Sequence, residues 1–485
     1  MEAIEFTLNN EAVTIEHEPP TKTLLEYLRG ERRLMGTKEG CAEGDCGACT
    51  VAWLDADAGG RAVLRSVNAC LVLLPMLHGR RVWTVEGIRG ADGSPHLVQE
   101  ALVQALGSQC GYCTPGVVMT MLEACYRDDL DADWKLDDQM AGTLCRCTGY
   151  RPIKEAARQI AGSRPADDVT AVLDGPAAAL PALDYRADDQ RFVRPDSLAR
   201  LWAVIAEERE VRFVNGATDL GLAVTKRHET WPCLVCLDGI PSLNSIVALD
   251  GGGWRVGAGV TLSALEDYAD GPLPALARML RYFGARQIKN RATVGGNLCN
   301  ASPIGDLAPV LLALGADAVI AGVAGARRVA MADFFTGYRQ TALAEGEILA
   351  AVVIPEPADG ARTAAYKVSK RRELDISAVS AGMAVVVNDA GIVTEARLGF
   401  GGMAATPRRA TAAEAALVGQ PWSASVVAAA AVALEDDFTP MSDHRGSAWY
   451  RATLARNLLL GFFEETQSEA APRLTRGHSG TVEVR

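Results

Sequence analysis

Apolar and polar positions alternate over residues 1–17 and break at Asn9-Asn10, which predicts two short strands about a turn. Leu24, Leu25, Tyr27 and Leu28 follow at helical spacing behind Thr21 and Thr23, either of which can cap a helix. A strand over Cys49–Leu54 and another ending near Val85 complete a β-rich first segment. The next segment is helical. His96–Leu106 is periodic, Thr114-Pro115 opens a helix reaching about Tyr126, and Pro152 opens one through Ile160. Residues 163–190 are rich in Ala, Pro and Asp without a sustained period and read as a linker. Beyond them strands (Val211–Val214, Trp254–Val256, Ala384–Val387, Ala396–Phe400) mix with helices (Leu273–Tyr282, Val426–Glu435). The most apolar stretch, Leu307 to Ala326, is interrupted by Pro309, Gly315 and Asp317, so it reads as helix–turn–strand and not as a membrane span.

These breaks divide the 485 residues into segments 1–85, 86–162, a linker 163–190, 191–362, 363–466 and a polar tail 467–485. The net charge of −12 argues against a nucleic-acid partner. The first residues carry neither a basic nor an apolar leader pattern, so a cytoplasmic location is expected. In that compartment twelve cysteines do not read as disulfides. Eight of them fall into two tetrads between Cys41 and Cys147, which points to metal.

Cys41, Cys46, Cys49 and Cys70 are separated by four, two and twenty residues, and the first three match the plant-type spacing for a 2Fe–2S cluster. Such a cluster is anionic and needs backbone N–H groups close to its sulfurs. Gly36, Gly40, Ala42, Gly44, Gly47 and Ala48 supply a loop with almost no side-chain bulk. In the second tetrad Cys110 and Cys113 form one hook, Cys145 and Cys147 the other. Each hook runs into a helix start, at Thr114-Pro115 and at Thr148 upstream of Pro152, so two positive dipole ends can face the metal. Zinc is the alternative at both tetrads, although a C-x-C hook is unusual for it.

The two tetrads, in a β-rich then a helical segment, resemble the iron–sulfur region of the molybdenum hydroxylases, which include xanthine dehydrogenase, aldehyde oxidase and carbon monoxide dehydrogenase. The resemblance covers roughly residues 1–160. It implies that Gln109, just before the first cysteine of the helical tetrad, faces a molybdopterin-binding partner; a loop hydrogen-bonder is the plainer reading.

The strand Val211–Val214 runs into Asn215-Gly216-Ala217-Thr218-Asp219-Leu220, a small-residue turn that can offer N–H groups to a pyrophosphate. A second such turn is Thr293-Val294-Gly295-Gly296-Asn297, and no strand is followed by the complete glycine fingerprint of a Rossmann site. The pair of turns resembles the FAD domain shared by vanillyl-alcohol-oxidase-type flavoproteins and the molybdenum hydroxylases. Carried over residue by residue, the resemblance implies FAD contacts from Phe213, Val214, Asn215, Gly216, Ala217, Thr218, Asp219 and Leu220 and from Thr293, Val294, Gly295, Gly296 and Asn297. Phe283, Asp306, Leu349 and Lys367 complete the set. Core packing is the alternative for Phe283 and Leu349, and a surface charge for Asp306 and Lys367.

The fold class expected is α+β and multidomain: a β-grasp ferredoxin-like domain, a four-helix 2Fe–2S domain, an α/β FAD domain of the vanillyl-alcohol-oxidase type and a C-terminal α+β flavoprotein domain. The resemblance implies two 2Fe–2S clusters and FAD on this chain. It also implies NAD as electron acceptor and molybdopterin on a large partner subunit, in a dimer of heterodimers. The order of the segments favours the xanthine dehydrogenase type, with oxidation of xanthine or hypoxanthine to urate. The alternatives are an aldehyde or other N-heterocycle hydroxylase and, in another class, a non-enzymatic metal-stapled scaffold. Cys125 reads as a buried apolar residue, and Cys233 and Cys236 as facing opposite sides of a strand.

Overall fold

The computed structural model of the chain describes residues 2–467, except 58, 91 and 373. The first unit contains β1 (Ile4–Leu8), β2 (Glu11–Ile15), α1 (Leu24–Gly30), β3 (Thr50–Ala56), β4 (Ala62–Asn68) and β5 (Arg81–Trp83). Asn9 and Asn10 both take positive φ, 51° and 67°, the turn conformation that matches the twist of a two-residue hairpin. Of the two candidate caps Thr23 is used, in a reciprocal box with Glu26. The sheet order β2-β1-β5-β3-β4, with β1 parallel to β5, is that of a β-grasp. Leu24, Leu25 and Leu28 of α1 are buried in the same core as Ile4, Phe6 and Trp53 of the sheet.

Four helices follow: α2 (Leu97–Gln104), α3 (Thr114–Cys125), α4 (Asp133–Met140) and α5 (Arg151–Ile160). α3 is buried on almost every side, because the other helices and β3 surround it. Thr114, of the pair expected to open this helix, is its first helical residue. The cap position belongs to the ligand candidate Cys113, with Pro115 behind it, where its missing N–H costs nothing.

The 163–190 stretch is not a bare linker. It holds α6 (Asp168–Leu173) and β6 (Leu183–Ala187), and β6 pairs residue for residue with β7 (Gln190–Arg194). These pieces are too short to show a sustained period among the surrounding Ala and Pro residues, although Leu183, Tyr185 and Ala187 do alternate inward.

The flavin-type unit continues with α7 (Leu198–Glu207), β8 (Arg212–Val214), α8 (Leu220–Arg227) and β9 (Cys233–Cys236), giving a sheet ordered β6-β7-β9-β8 in which β9 lies parallel to both neighbours. Next come β10 (Ile246–Ala248), β11 (Trp254–Gly257), α9 (Leu262–Ala269), α10 (Pro274–Arg281), α11 (Arg286–Lys289), α12 (Val294–Cys299) and α13 (Leu307–Ala313). They are followed by β12 (Asp317–Gly322), β13 (Gly325–Ala330), α14 (Met331–Phe334), β14 (Phe335–Gly337), β15 (Gln340–Thr341) and β16 (Ile348–Ile354). The second sheet is antiparallel, ordered β10-β11-β16-β12-β13. Leu307–Ala326 folds as read, helix α13 then strand β12, with Gly315 at φ +68° between them.

The last unit pairs β17 (Ala361–Val368), β18 (Val379–Val387), β19 (Val393–Gly401) and β20 (Arg408–Arg409) in sequence order and covers them with α15 (Thr411–Leu417), α16 (Ala424–Asp437) and α17 (Ala448–Gln467). The expected tail lies outside the described residues apart from Gln467. Among the described residues no helix is long and apolar enough to cross a membrane.

The units share cores. Val214, Ala217 and Leu220 at the flavin turn are buried in one cluster with Cys49, Cys70 and Leu71 of the β-grasp. Helix α11 is the polar counterpart of that joint. Arg286, Gln287, Lys289 and Asn290 are each at most 1% exposed. Arg286 Nε donates to Glu123 on α3 (3.2 Å), Gln287 to Thr120 Oγ1 (3.0 Å), Lys289 to Asp138 on α4 (2.8 Å), and Asn290 to the Ser66 carbonyl on β4 (2.9 Å). Buried charges are tolerated when paired and hydrogen-bonded, and this helix finds its partners in two other units.

Candidate functional site

The loop 36–49 brings the first cysteines together as pairs. The Cys46 thiol donates to Cys41 Sγ, and the N–H groups of Cys46 (3.3 Å) and Glu43 (3.5 Å) point at the same sulfur. Together they hold the Cys41 thiol down to about 5 against the opposing effect of burial. Cys49 and Cys70 form the other pair; the Cys70 thiol donates to Cys49 and lowers it, and Asn68 Nδ2 lies 4.0 Å from Cys49 Sγ. A two-iron cluster places two thiolates on each iron, so sulfurs gathered in twos match its ligand set. The loop is shaped to allow it. A Cβ at Gly40 would sit 2.7 Å from Cys46 Sγ, and Gly44 and Gly47 hold positive φ of 83° and 68°. These residues fit the group.

The second tetrad pairs across its two hooks. Cys147 donates to Cys110, which the Tyr112 N–H also lowers. Cys113 faces Cys145, and burial together with that neighbour pushes the Cys113 thiol up to about 12. Burial would also raise Cys145, but the Thr148 hydroxyl, 3.2 Å from its sulfur, brings it down. The helix starts expected at the hooks are present: α3 begins directly after Cys113, and α5 begins after Tyr150, whose hydroxyl accepts from the Cys145 N–H (2.9 Å). This tetrad is the more exposed of the two: Cys110, Cys147 and Gln109 are exposed, whereas Cys41 and Cys46 are half-buried and Cys49 and Cys70 buried. Among the described residues no three His, Cys, Asp or Glu side chains converge as ligands of a single ion.

The loops carrying the tetrads touch backbone to backbone. The Leu144 N–H donates to the Cys46 carbonyl at 2.9 Å, and a Cβ on Gly116 would lie 2.2 Å from the Gly47 carbonyl oxygen. The Tyr112 hydroxyl donates to the Glu39 carbonyl, a second tie between the same loops.

The two small-residue turns are brought together by Arg291 and Asn300. Arg291 Nη2 donates to the Asn215 carbonyl (3.1 Å), and a Cβ on Gly216 would lie 1.8 Å from the Arg291 carbonyl oxygen. Asn300 Nδ2 reaches Asp219 Oδ1 at 3.3 Å. The turns differ in what they can offer a ligand. In the second, Gly295 N–H bonds Ala258 O, Gly296 N–H bonds the Thr293 hydroxyl and Asn297 N–H bonds Thr293 O, so its donors are used in starting α12. In the first, the N–H groups of Gly216, Ala217 and Thr218 have no acceptor among the described residues, and Ala217 sits at φ 59°. Those N–H groups are what an anion cradle needs, so of the two turns the first fits a diphosphate. Phe213 is half-buried on β8, and Val214 and Leu220 are buried on either side of the turn.

A second group stands on the C-terminal sheet. Lys367 Nζ donates to Asp306 Oδ2 (2.8 Å), Ser377 Oγ to Asp306 Oδ1 (2.5 Å), and Lys367 lies 6.0 Å from the Phe283 ring centre. Both charges are buried, so neither is a surface charge. Leu349 is buried on β16, and its N–H points at the Cys299 sulfur. Cys233 and Cys236 do face opposite sides of β9, each in a different core. Nothing in the residue pattern marked α11, Thr225 or Lys226, all of which tie the flavin turns to the clusters; the only signal was polar density just before Thr293.

Four family models match in order along the chain: a 2Fe-2S iron-sulfur cluster binding domain (residues 6–74), a 2Fe-2S binding domain (84–158), an FAD binding domain in molybdopterin dehydrogenase (186–357) and a CO dehydrogenase flavoprotein C-terminal domain (364–466). The crystal structure of the Cu,Mo-CO dehydrogenase contains a chain 30% identical to this one, of which 94% is covered, at a TM-score of 0.52 over 56% of the present chain. The chain belongs to the molybdenum hydroxylase family. Within that family it is also similar to quinoline 2-oxidoreductase from Pseudomonas putida 86 (29% identity, TM-score 0.52, 56% of this chain and 94% of that one). Curated relatives include the xanthine dehydrogenase of Emericella nidulans, 31% identical over 97% of this chain, and the xanthine dehydrogenase/oxidase of Rattus norvegicus, 33% identical over 94%. The chain spans 39% and 38% of the length of those two relatives. As a member of the family it carries two 2Fe–2S domains, an FAD-binding domain and a C-terminal flavoprotein domain, the multidomain α+β class read from the sequence.

Proposed function

We propose that the chain is the electron-transfer portion of a xanthine dehydrogenase. In this reading the clusters supply one-electron steps and FAD joins them to the two-electron acceptor NAD. Cys41, Cys46, Cys49 and Cys70 hold the first cluster, and Cys110, Cys113, Cys145 and Cys147 the second. The turn Asn215–Asp219 holds the FAD diphosphate, with Thr293–Asn297, Phe283, Asp306, Leu349 and Lys367 completing the pocket. The working divisions are 1–85, 86–162, 191–362 and 363–466. The observation that carries the reading is the continuity of the three candidate sites: the Leu144–Cys46 hydrogen bond joins the tetrads, and the first tetrad shares a core with the flavin turn.

A molybdopterin-binding subunit is the proposed partner at the second tetrad. There Val103, Leu106, Tyr112, Leu144 and Tyr150 are exposed around Gln109 and the two exposed cysteines. Apolar side chains rimming an anionic centre suit a covered interface better than water. Purines are favoured as substrate by the curated xanthine dehydrogenase relatives. The quinoline and carbon monoxide enzymes among the structural neighbours keep a different small substrate as the second reading. Copurification of the complex and assay with xanthine, quinoline and an aldehyde tests this. Urate formation coupled to NAD reduction is expected; turnover of another substrate with none of any purine overturns the xanthine assignment.

A further inference from the structure

Helix α8 has an unusual position. Its first residue follows the flavin turn directly, and Gly221 N–H bonds the Ala217 carbonyl of that turn at 2.7 Å. One turn later the same helix lies on the first cysteine loop. Thr225 Oγ1 donates to the Ala42 carbonyl at 2.7 Å, and Lys226 Nζ donates to the carbonyl of the ligand candidate Cys41 at 2.5 Å. Lys226 also pairs with Glu43 at 3.4 Å. The start of the helix is clamped by Leu71, the neighbour of Cys70: a Cβ on Gly221 would lie 2.9 Å from Leu71 Cδ2, and one on Gly44 would lie 2.6 Å from Leu71 Cδ1.

We infer that α8 is the link that fixes the flavin turn against the first cluster, and that Lys226 tunes that cluster's reduction potential. This rests on the cofactor assignment proposed above. The physical argument is one of charge. Reduction adds a negative charge to a group held by four thiolates, in a loop that also carries Glu39, Glu43 and Asp45. The Lys226 ammonium bonds the backbone carbonyl of one ligand and so lies close to that added charge, favouring the reduced state over the oxidised one. Its side chain is 42% exposed, so part of the effect is screened by solvent. Thr225 has no charge and serves position alone. The two residues are positioning residues, since neither touches substrate.

The test is a potentiometric titration followed by electron paramagnetic resonance on the full chain with its cofactors, comparing Lys226→Gln, Lys226→Glu, Lys226→Arg and Thr225→Val. In Lys226→Gln one of the two cluster signals is expected to need a lower potential. Its one-electron reduction equilibrium should shift on the order of tenfold, about 59 mV. Lys226→Glu should shift it further, Lys226→Arg should restore it, and the other cluster should stay unchanged. Thr225→Val should leave both potentials in place and slow reoxidation of the reduced clusters by the flavin, read by stopped-flow absorbance. If both signals are intact and neither potential moves in Lys226→Gln or Lys226→Glu, the inference is wrong while the cofactor assignment stands. If the unmodified chain shows no pair of cluster signals, the cofactor assignment itself fails and the inference falls with it.

Discussion

Leu144 donates its N–H to the carbonyl of Cys46 at 2.9 Å, so a residue adjoining one tetrad is bonded directly to a member of the other. Gly47 and Gly116 make this contact possible. A Cβ on Gly47 would lie 2.2 Å from the Gly142 carbonyl, and one on Gly116 the same distance from the Gly47 carbonyl. Gly116→Ala is therefore expected to push the loops apart and cost about 1–3 kcal/mol. Magnetic coupling between the reduced clusters should weaken while the iron content stays the same. Full coupling with unchanged stability would show that the loops do not need this closeness.

Glu123 is fully buried on α3 and accepts from Ser66, Gln139, Arg286 and Asn290, so it ties the helical unit to both of its neighbours. Burial alone would raise its carboxyl, but Arg286, Arg65 and Arg127 outweigh it and hold the group below its ordinary 4.5. The folded carboxyl thus ionises at lower pH than the unfolded one. Its stabilisation is complete above about pH 4.5 and is lost as pH falls through the lower folded value. Glu123→Gln should cost about 3–5 kcal/mol at neutral pH, since Arg286 and Arg65 lose a buried partner. It should also flatten the acid limb of a stability–pH curve measured by denaturant unfolding. A parallel acid limb in the variant would reject this role.

At the flavin turn, a methyl on Gly216 would overlap the Arg291 carbonyl at 1.8 Å. Gly216→Ala should displace the turn whose three N–H groups lack acceptors among the described residues, and bound FAD per chain should fall about tenfold or more with iron unchanged. Flavin and iron assays on the same preparation check it.

Lys367 and Asp306 form a buried pair 2.8 Å apart. Lys367→Met strands the carboxylate and is expected to cost about 3–5 kcal/mol. Adding Asp306→Asn should recover much of that stability. Flavin retention should stay low in the double variant if the pair also contacts FAD, and should recover if its role is purely structural. Thermal unfolding and flavin content together separate the two.

The strands, the hairpin at Asn9-Asn10 and the cysteine hooks were legible in the sequence because each depends on local pattern: a period of two, a turn dipeptide, a fixed ligand spacing. The 163–190 stretch was not, since α6 spans six residues and β6 five, and each gains its order from partners elsewhere in the chain. The two small-residue turns are legible in the sequence, but not the difference between them. Which N–H groups remain free depends on Ala258 and the Thr293 hydroxyl, and only the fold brings Ala258 to Gly295. Arg286, Gln287 and Lys289 carry no sign of burial in the sequence, yet α11 is buried because two other units supply its partners. A charged residue's burial is decided by distant neighbours, and its own sequence context does not report it.

The most direct test of the account is metal and sulfide analysis of anaerobically purified chain, joined to resonance spectra of the reduced protein. Two 2Fe–2S clusters predict about four irons and about four acid-labile sulfides per chain, with two distinct paramagnetic signals on reduction. Zinc in the tetrads without labile sulfide, or a colourless protein silent on reduction, would contradict it.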